Sequence, residues 1–466
     1  ENRFGYRGGS YAFPETTSDK KKNMNIKISD HFTYKKLFTF VLPPVFMMIL
    51  TSIYGVIDGY FISNFVGKTQ FAAINFIYPF IMILGGTGFM IGTGGTALVA
   101  KTLGEGNEKR ANELFTIMIK FCILLGIILT VSGILLIRPI CILLKATEEM
   151  TDYCVIYGSI VISFTTFFML QSNFHSFFSA AEKQRMGLAV TIIAGCTNAA
   201  LDALFIVVFD WGLVGAALAT GIGQVIGGLV PLVYFARPNA SRLRFVKAKL
   251  ELKPVLAACA NGSSELLTNV SSSIVSMLYN MQLMRFYGED GVSAYGVLMY
   301  TQFIFVAILL GYSIGTAPVV GFHYGASNTD ELKSLLKKST VIMGIGGVVL
   351  AVAALALSST LAGIFVGYDK ELYDLTLRAF KIYSIHFVFA GFNIFASGFF
   401  TALNNGAVSA AISFLRTLVF QSSSVLILPV LFGVDGIWWA VCVAEVAALT
   451  ISIIFLFTNR KKYKYF

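Results

Sequence analysis

Gly92–Asn107 reads GTGGTALVAKTLGEGN, and Gly315–Asn328 reads GTAPVVGFHYGASN, a version of the same pattern two residues shorter. Two further pairs recur in the same order: HSFFSA (His175–Ala180) with SGFFTA (Ser397–Ala402), and GLVGAALA (Gly212–Ala219) with GVDGIWWA (Gly433–Ala440). Each pair is weak alone. Three pairs in order at nearly one offset define an internal repeat, and the nature of the repeating unit decides the fold.

Of the 466 residues, 56% are hydrophobic and 13% charged, against about 25% charged in soluble domains. The chain has too few polar residues to cover itself in water. Twelve apolar segments follow one another, roughly at 37–64, 71–100, 113–137, 152–178, 187–209, 213–236, 254–286, 292–320, 334–358, 372–402, 407–430 and 434–457. Each is close to the ~20 residues that cross a bilayer as a helix. Six segments per repeat bring the chain back to its starting side, so the halves are parallel repeats related by an axis along the membrane normal. The predicted fold is an all-α polytopic membrane protein with twelve transmembrane helices in two parallel six-helix repeats around a central cleft, where alternating access can operate. Residues 24–236 form the first lobe, 237–253 a basic cytoplasmic linker, 254–457 the second lobe and 458–466 a basic cytoplasmic tail. Residues 1–23 are polar, lack the apolar core of a signal peptide and precede Met24, a natural start; they read as an extension, native or added, outside the fold.

The net charge of +10 follows loop parity and does not gather on one face, which argues against nucleic acid as a partner and for membrane orientation. One side holds Lys35, Lys36, Lys101, Lys109 and Arg110, Lys183 and Arg185, the linker, Lys333, Lys337 and Lys338, and the tail. The other holds Lys68, Arg138, Lys145, Arg285 and Lys370, mixed with acids. By the positive-inside rule both termini are cytoplasmic. Six scattered cysteines and four scattered histidines form no C-x-x-C pair or ligand cluster, so no cofactor is expected.

Against this apolar background NAALDALF (Asn198–Phe205) stands out. An ionised carboxylate at membrane depth costs several kcal/mol, so something compensates for Asp202. Asn198 is four residues before it, on the same helix face. Counted at 1.5 Å per residue from the turn near Asp210–Gly212, Asp202 and Thr220 both lie about 12 Å below the outer boundary. Asp58, nine residues before Gly67, lies at roughly 13 Å by the same rise. Two carboxylates sharing a dehydrated site do not both stay charged cheaply: one takes a proton, or a cation sits between them. The amide and hydroxyl supply neutral oxygens for Na⁺ or for a protonated acid. The alternative is that Asp202 only bonds across helices while Asp58 faces an outer vestibule.

FVLPPVFMMILTSIYGVIDGYFISNFVG (Phe40–Gly67), NAALDALF followed by GAALAT, and GTGGTALVAKTLGEGN together resemble the MATE (multidrug and toxic compound extrusion) family of transporters, in the branch with the DinF- and MepA-type bacterial proteins. The resemblance covers the chain from about Met24. It implies two six-helix lobes around a V-shaped cleft, and export of organic, often cationic, compounds in exchange for H⁺ or Na⁺ across the cytoplasmic membrane of a bacterium. It implies that Asp58, Asn198, Asp202 and Thr220 couple the ion, and that Pro43 bends the first helix as a gate. Pro43 lacks a backbone donor and crowds the preceding turn, so a bend there is physically reasonable, though Pro44 adjoins it. The sequence departs from sodium-coupled relatives in its second lobe: the tenth segment has only Asp374, near its outer end, and Glu265 on the seventh stands at a different register. Coupling is therefore expected in the first lobe, with H⁺ favoured over Na⁺.

Glu265, Arg416 and Glu445 fall near mid-membrane and are expected to form a buried pair or triad, with substrate contact by Glu265 as the alternative. Gln171 and Gln224 are intramembrane amides, candidates for the cavity or for interhelical bonds. Lys120 is expected to snorkel. GGTGFMIGTGG (Gly85–Gly95) lacks the Lys-Ser/Thr ending of a phosphate loop and suits close helix contact at Gly88 and Gly92. The remaining function classes are a flippase for lipid-linked oligosaccharide or another amphipathic lipid, disfavoured by the twelve-helix count and the acidic residues of the first lobe, an enzyme, for which no catalytic constellation is present, and an ion channel, disfavoured because the acids lie in one lobe and form no ring. The expected partners are a small organic molecule and membrane lipid. A monomer suffices, since one chain holds both sides of the cleft.

Overall fold

The computed structural model describes residues 26–144 and 146–466; the extension 1–23, Met24 and Lys145 lie outside the described residues. The helices are α1 (Tyr34–Val66), α2 (Thr69–Gly104), α3 (Glu108–Leu143), α4 (Glu148–Ser163 and Thr165–Ala180, bent by 54°), α5 (Gln184–Val208) and α6 (Gly212–Ala236). An extended linker leads to a helical stretch over Leu252–Gly325. Then come α9 (Thr329–Val366), α10 (Lys370–Ala402), α11 (Gly406–Phe432) and α12 (Asp435–Tyr463).

The 74 residues of Leu252–Gly325 are far longer than a span, at about 1.5 Å per residue. They are two helices. Gly288 has φ 61° and ψ −144°, a conformation that a Cβ disfavours, and the chain folds back there. Tyr279 and Tyr295, on either side of the turn, stack with ring centroids 4.8 Å apart; along one straight helix sixteen residues would separate them by about 24 Å. With α7 at 252–287 and α8 at 289–325, the described residues hold the twelve expected helices.

The repeat extends to backbone dihedrals. Left-handed residues occur in matched pairs 221 or 222 positions apart: Gly67 with Gly288, Gly106 with Ser327, Glu182 with Asn404, and Gly212 with Gly433. The helix caps match too. Asn107 accepts from the Arg110 N–H at 3.0 Å, and Asn328, 221 residues later, accepts from the Glu331 N–H at 3.2 Å. The fifth helix of each half also carries a π segment, but not at matched positions: Ala203–Val208 in α5 and Leu415–Gln421 in α11 lie only 212 or 213 positions apart.

The halves meet through small residues near the basic loops, as expected where helices pack in lipid by close backbone approach. A Cβ on Gly104 would lie 2.0 Å from the Phe322 carbonyl oxygen, and one on Gly325 2.0 Å from that of Lys101. These are the same contact twice, related by the repeat. α2 and α7 cross reciprocally at Gly94 and Gly262, each 1.9 Å, by the same construction, from a carbonyl oxygen of the other helix. Within the first half, Gly88 and Gly92 admit the backbone of α4 at Met169 and Asn173, the close contact expected of that glycine run.

The segment before α1 straps both halves together at this end. The Ile28 N–H donates to Glu182 at 3.0 Å in the first half, and the Phe32 N–H donates to Glu331 at 2.9 Å in the second. His31 Nδ1 lies 2.5 Å from the other Glu331 oxygen, Lys338 donates to the Phe32 carbonyl, and Ile28 and Phe32 are fully buried.

Candidate functional site: a buried acid pair in the first half

α1 and α5 are brought together by one aromatic ring. Tyr54 fills the space that a Cβ on Gly195 would occupy, 1.7 Å from its ring, and its hydroxyl donates to the Thr191 carbonyl at 2.7 Å. One turn further along α1 stands Asp58, and two turns further along α5 stands Asp202, so a contact between neutral groups sets the two carboxylates side by side. α6 closes the third side: the Thr220 hydroxyl lies 3.3 Å from Asp58 Oδ1 and 3.1 Å from the Ala216 carbonyl.

The two acids differ in surroundings. Asp58 is half-buried and has Thr220. Asp202 is fully buried, and neither of its oxygens has a hydrogen-bond partner among the described residues. It ends the α-helical part of α5; the π turn begins with the next residue, a deformation common at functional sites. Asn198 is buried beside Gly223 of α6, and its amide nitrogen also has no partner. The structure thus gathers Asp58, Asp202 and Thr220 and places Asn198 one turn away without a bond to either acid. Sequence reasoning missed Tyr157 of α4, which is buried within reach of both carboxylates and Thr220, and Tyr78 of α2, near Asp58. Tyrosines inside apolar spans were the available signal, but nothing in their spacing ties them to α1.

The remaining candidates are dispersed. α1 is helical through Pro43 and Pro44. Pro44 is buried, with its ring and carbonyl against Gly315 and Gly311 of α8, while Pro43 is half-buried. Gln171 packs on Gly227 of α6, an interhelical role, and the Gln224 side-chain oxygen is buried without a partner.

In the second half the partly buried Arg416 holds the buried Glu445 bidentately, at 2.7 Å to Oε1 and 3.1 Å to Oε2. Asn393 donates to Glu445 Oε2 at 2.7 Å and accepts from Ser452 at 2.9 Å. Glu265 lies within electrostatic reach of Arg416 without a bond to it, so the expected cluster is a pair with a third acid nearby. A cavity of about 90 Å³, lined among others by Gln302, His386, Arg416, Gln421 and Glu445, adjoins the pair. No group of three or more His, Cys, Asp or Glu side chains that could hold a metal ion occurs among the described residues.

Two six-helix repeats of membrane-length helices, with two intramembrane acids in one of them, define a polytopic membrane transporter fold. The MatE family profile matches residues 43–204 and 266–423, more than half of the chain and a block in each repeat, and the chain belongs to that family. It is 23% identical over 436 residues to the multidrug export protein MepA of Staphylococcus haemolyticus, covering 92% of this chain and 94% of that one. To MepA of Staphylococcus saprophyticus it is 24% identical over 444 residues, with the same coverage. Among solved structures, the outward-facing conformation of a multidrug resistance MATE family transporter of the MOP superfamily superposes with a TM-score of 0.88 at 18% identity, over 94% of this chain and 98% of that one.

Proposed function

We propose that this chain is a multidrug efflux antiporter of the bacterial cytoplasmic membrane, with both termini cytoplasmic. In this reading it exports organic, often cationic, compounds by alternating access in exchange for H⁺. The observation that carries it is Asp202: a fully buried carboxylate with no partner, beside a second carboxylate. An isolated buried charge is expensive, and one proton delivered to the pair removes most of that cost. Thr220 fits the same reading. Its hydroxyl has one proton and two acceptors in reach; a protonated Asp58 would donate to Thr220 and release that proton for the Ala216 carbonyl. Na⁺ is the alternative ion, for which the oxygens of Asn198 and Thr220 are suitable neutral ligands. The MepA relatives, named as multidrug export proteins, support the substrate class, as do the intramembrane acids Asp58 and Asp202.

The test is uptake of a fluorescent cationic dye into inverted vesicles, energised separately by a proton and a sodium gradient, with Asp58→Asn and Asp202→Asn alongside. Proton-driven uptake lost in both variants is the expected result. Sodium-driven uptake would reassign the ion. Unchanged uptake in both variants would make the acids structural, and absence of dye movement in the native protein would favour a lipid flippase.

A further inference from the structure

The linker between the halves is an irregular segment without secondary structure, fastened along α3. Asn112, Thr116 and Lys120 lie at successive i, i+4 positions on one face of that helix. The Arg244 N–H donates to Asn112 at 2.7 Å, the Val246 N–H to Thr116 at 3.1 Å, and the Lys120 ammonium to the Ala248 carbonyl at 2.8 Å. Lys120, expected to snorkel, reaches a backbone carbonyl of the linker. Phe245 stacks on Phe115 with centroids 5.1 Å apart, and Leu243 is fully buried. What the ladder leaves outside is basic: Arg244, Lys247, Lys249 and Lys253 are all exposed. Glu251 does not offset them. It is bound bidentately by Arg110 at 2.6 Å and 2.7 Å, and that guanidinium holds its carboxyl below the usual carboxylate range.

The same helix fixes the level of this strip. Beyond Lys120, α3 presents Leu124, Ile127, Ile128, Val131 and Leu135 outward, all exposed, the stripe of a helix facing hydrocarbon. That stripe begins one turn past the last rung of the ladder, about 6 Å along the axis, within the ~10 Å over which surface charges act at moderate salt. Exposed Leu250, Leu252 and Leu256 continue the apolar surface on the linker side. A row of fixed cations at the edge of a hydrocarbon-facing stripe matches a bilayer surface that carries negative charge.

We propose that this strip binds the headgroups of anionic membrane lipids, with Arg244, Lys247 and Lys249 meeting lipid phosphates while Leu250 and Leu252 sit among the adjoining acyl chains. The strip joins the two halves, so lipid held there anchors the linker while the halves rock.

The test reconstitutes the full chain in nanodiscs of phosphatidylcholine with a minor share of phosphatidylglycerol and counts, by native mass spectrometry, the lipids retained on release. Several-fold enrichment of phosphatidylglycerol over its bilayer share is expected. It should be lost in the triple variant Arg244→Gln, Lys247→Gln, Lys249→Gln and kept in Lys333→Gln, Lys337→Gln, Lys461→Gln, which removes as much charge from other basic segments. Equal enrichment in both variants, or equal loss, would overturn the site. Displacement by millimolar inorganic phosphate would make it a free-phosphate site and overturn the lipid assignment. Should the first variant fail to fold, the native protein still decides: enrichment must fall as salt rises, and salt-insensitive enrichment would refute the proposal.

Discussion

Counting 221 or 222 residues onward from Asp58, Thr220 and Asp202 of the first half reaches neutral residues in the second. Asp58 corresponds to Tyr279, Thr220 to Val441, and Asp202 to the neighbourhood of Ser424. Counted backward, Glu445 corresponds to Gln224 and Arg416 to Ala194. The halves share turns and caps, yet each keeps intramembrane charges where the other has none. In the second half Glu445 has a guanidinium and an amide on its carboxylate; in the first, Asp202 has no hydrogen-bond partner among the described residues. A buried charge that is bonded within the fold is compensated there, whereas one left without a partner is expensive to keep ionised. The two clusters look alike in a list of intramembrane charges and differ in kind once their partners are known.

The largest expected effect tests that difference directly. Asp202→Asn should bring gradient-driven dye transport to background while thermal unfolding in detergent stays at the native temperature or rises, because the variant removes a buried charge that nothing compensates. Loss of stability together with loss of transport would break the comparison, since Asp202 would then be structural in the way Glu445 is.

Glu445→Gln should do the reverse. It leaves the partly buried Arg416 without its counter-charge, which costs up to about 3–5 kcal/mol where buried pairs are broken, and thermal unfolding should report it. Replacing both partners, Arg416→Met with Glu445→Leu, should restore native stability or better, because the pair's desolvation cost goes with it. A double variant as unstable as the single one would mean that the cluster does more than pack, and would direct attention to the adjoining cavity and Glu265.

Helix number, parallel halves and the neighbourhood of Asp58, Asp202 and Thr220 were legible in the sequence for one reason: each depends on distances along the chain. Apolar run length sets a span, loop parity sets a direction, and residues equally far from neighbouring turns end at one depth. What the sequence did not show depends on rotation about helix axes. Nothing in the spacing of Tyr54 and Gly195 says that one fills the other, or that Tyr157 of α4 turns toward α1. The same limit explains why Asn198, correctly placed one turn from Asp202, has no bond to it, and why Glu265 was grouped with an ion pair that it only approaches.

The interface between halves gives a smaller, symmetric test. Gly104 and Gly325 make the same contact from the two sides of the repeat axis, each with a Cβ position 2.0 Å from a carbonyl oxygen of the opposite helix. Alanine at either position should cost about 1–3 kcal/mol by overpacking and weaken closure at the basic end, read as reduced cross-linking between cysteines introduced on α2 and α8. The two costs should be equal. Unequal costs would show that the halves, alike in backbone, do not share the interface evenly.

The smallest effect concerns the strap before α1, which takes one glutamate from each half but not on equal terms. Glu331 is buried and holds two groups, the Phe32 N–H at 2.9 Å and His31 at 2.5 Å; Glu182 holds only the Ile28 N–H at 3.0 Å and lies 3.5 Å from Arg242. Removing an acceptor from a buried N–H costs about 1–3 kcal/mol, and the cost falls when the freed group finds water. Glu331→Ala should therefore speed amide hydrogen exchange at Phe32 markedly, and Glu182→Ala should speed it at Ile28 by less. If that order holds, the strap is rooted in the second half and releases the first when the basic end opens. Faster exchange at Ile28 than at Phe32 would reverse the sequence of release.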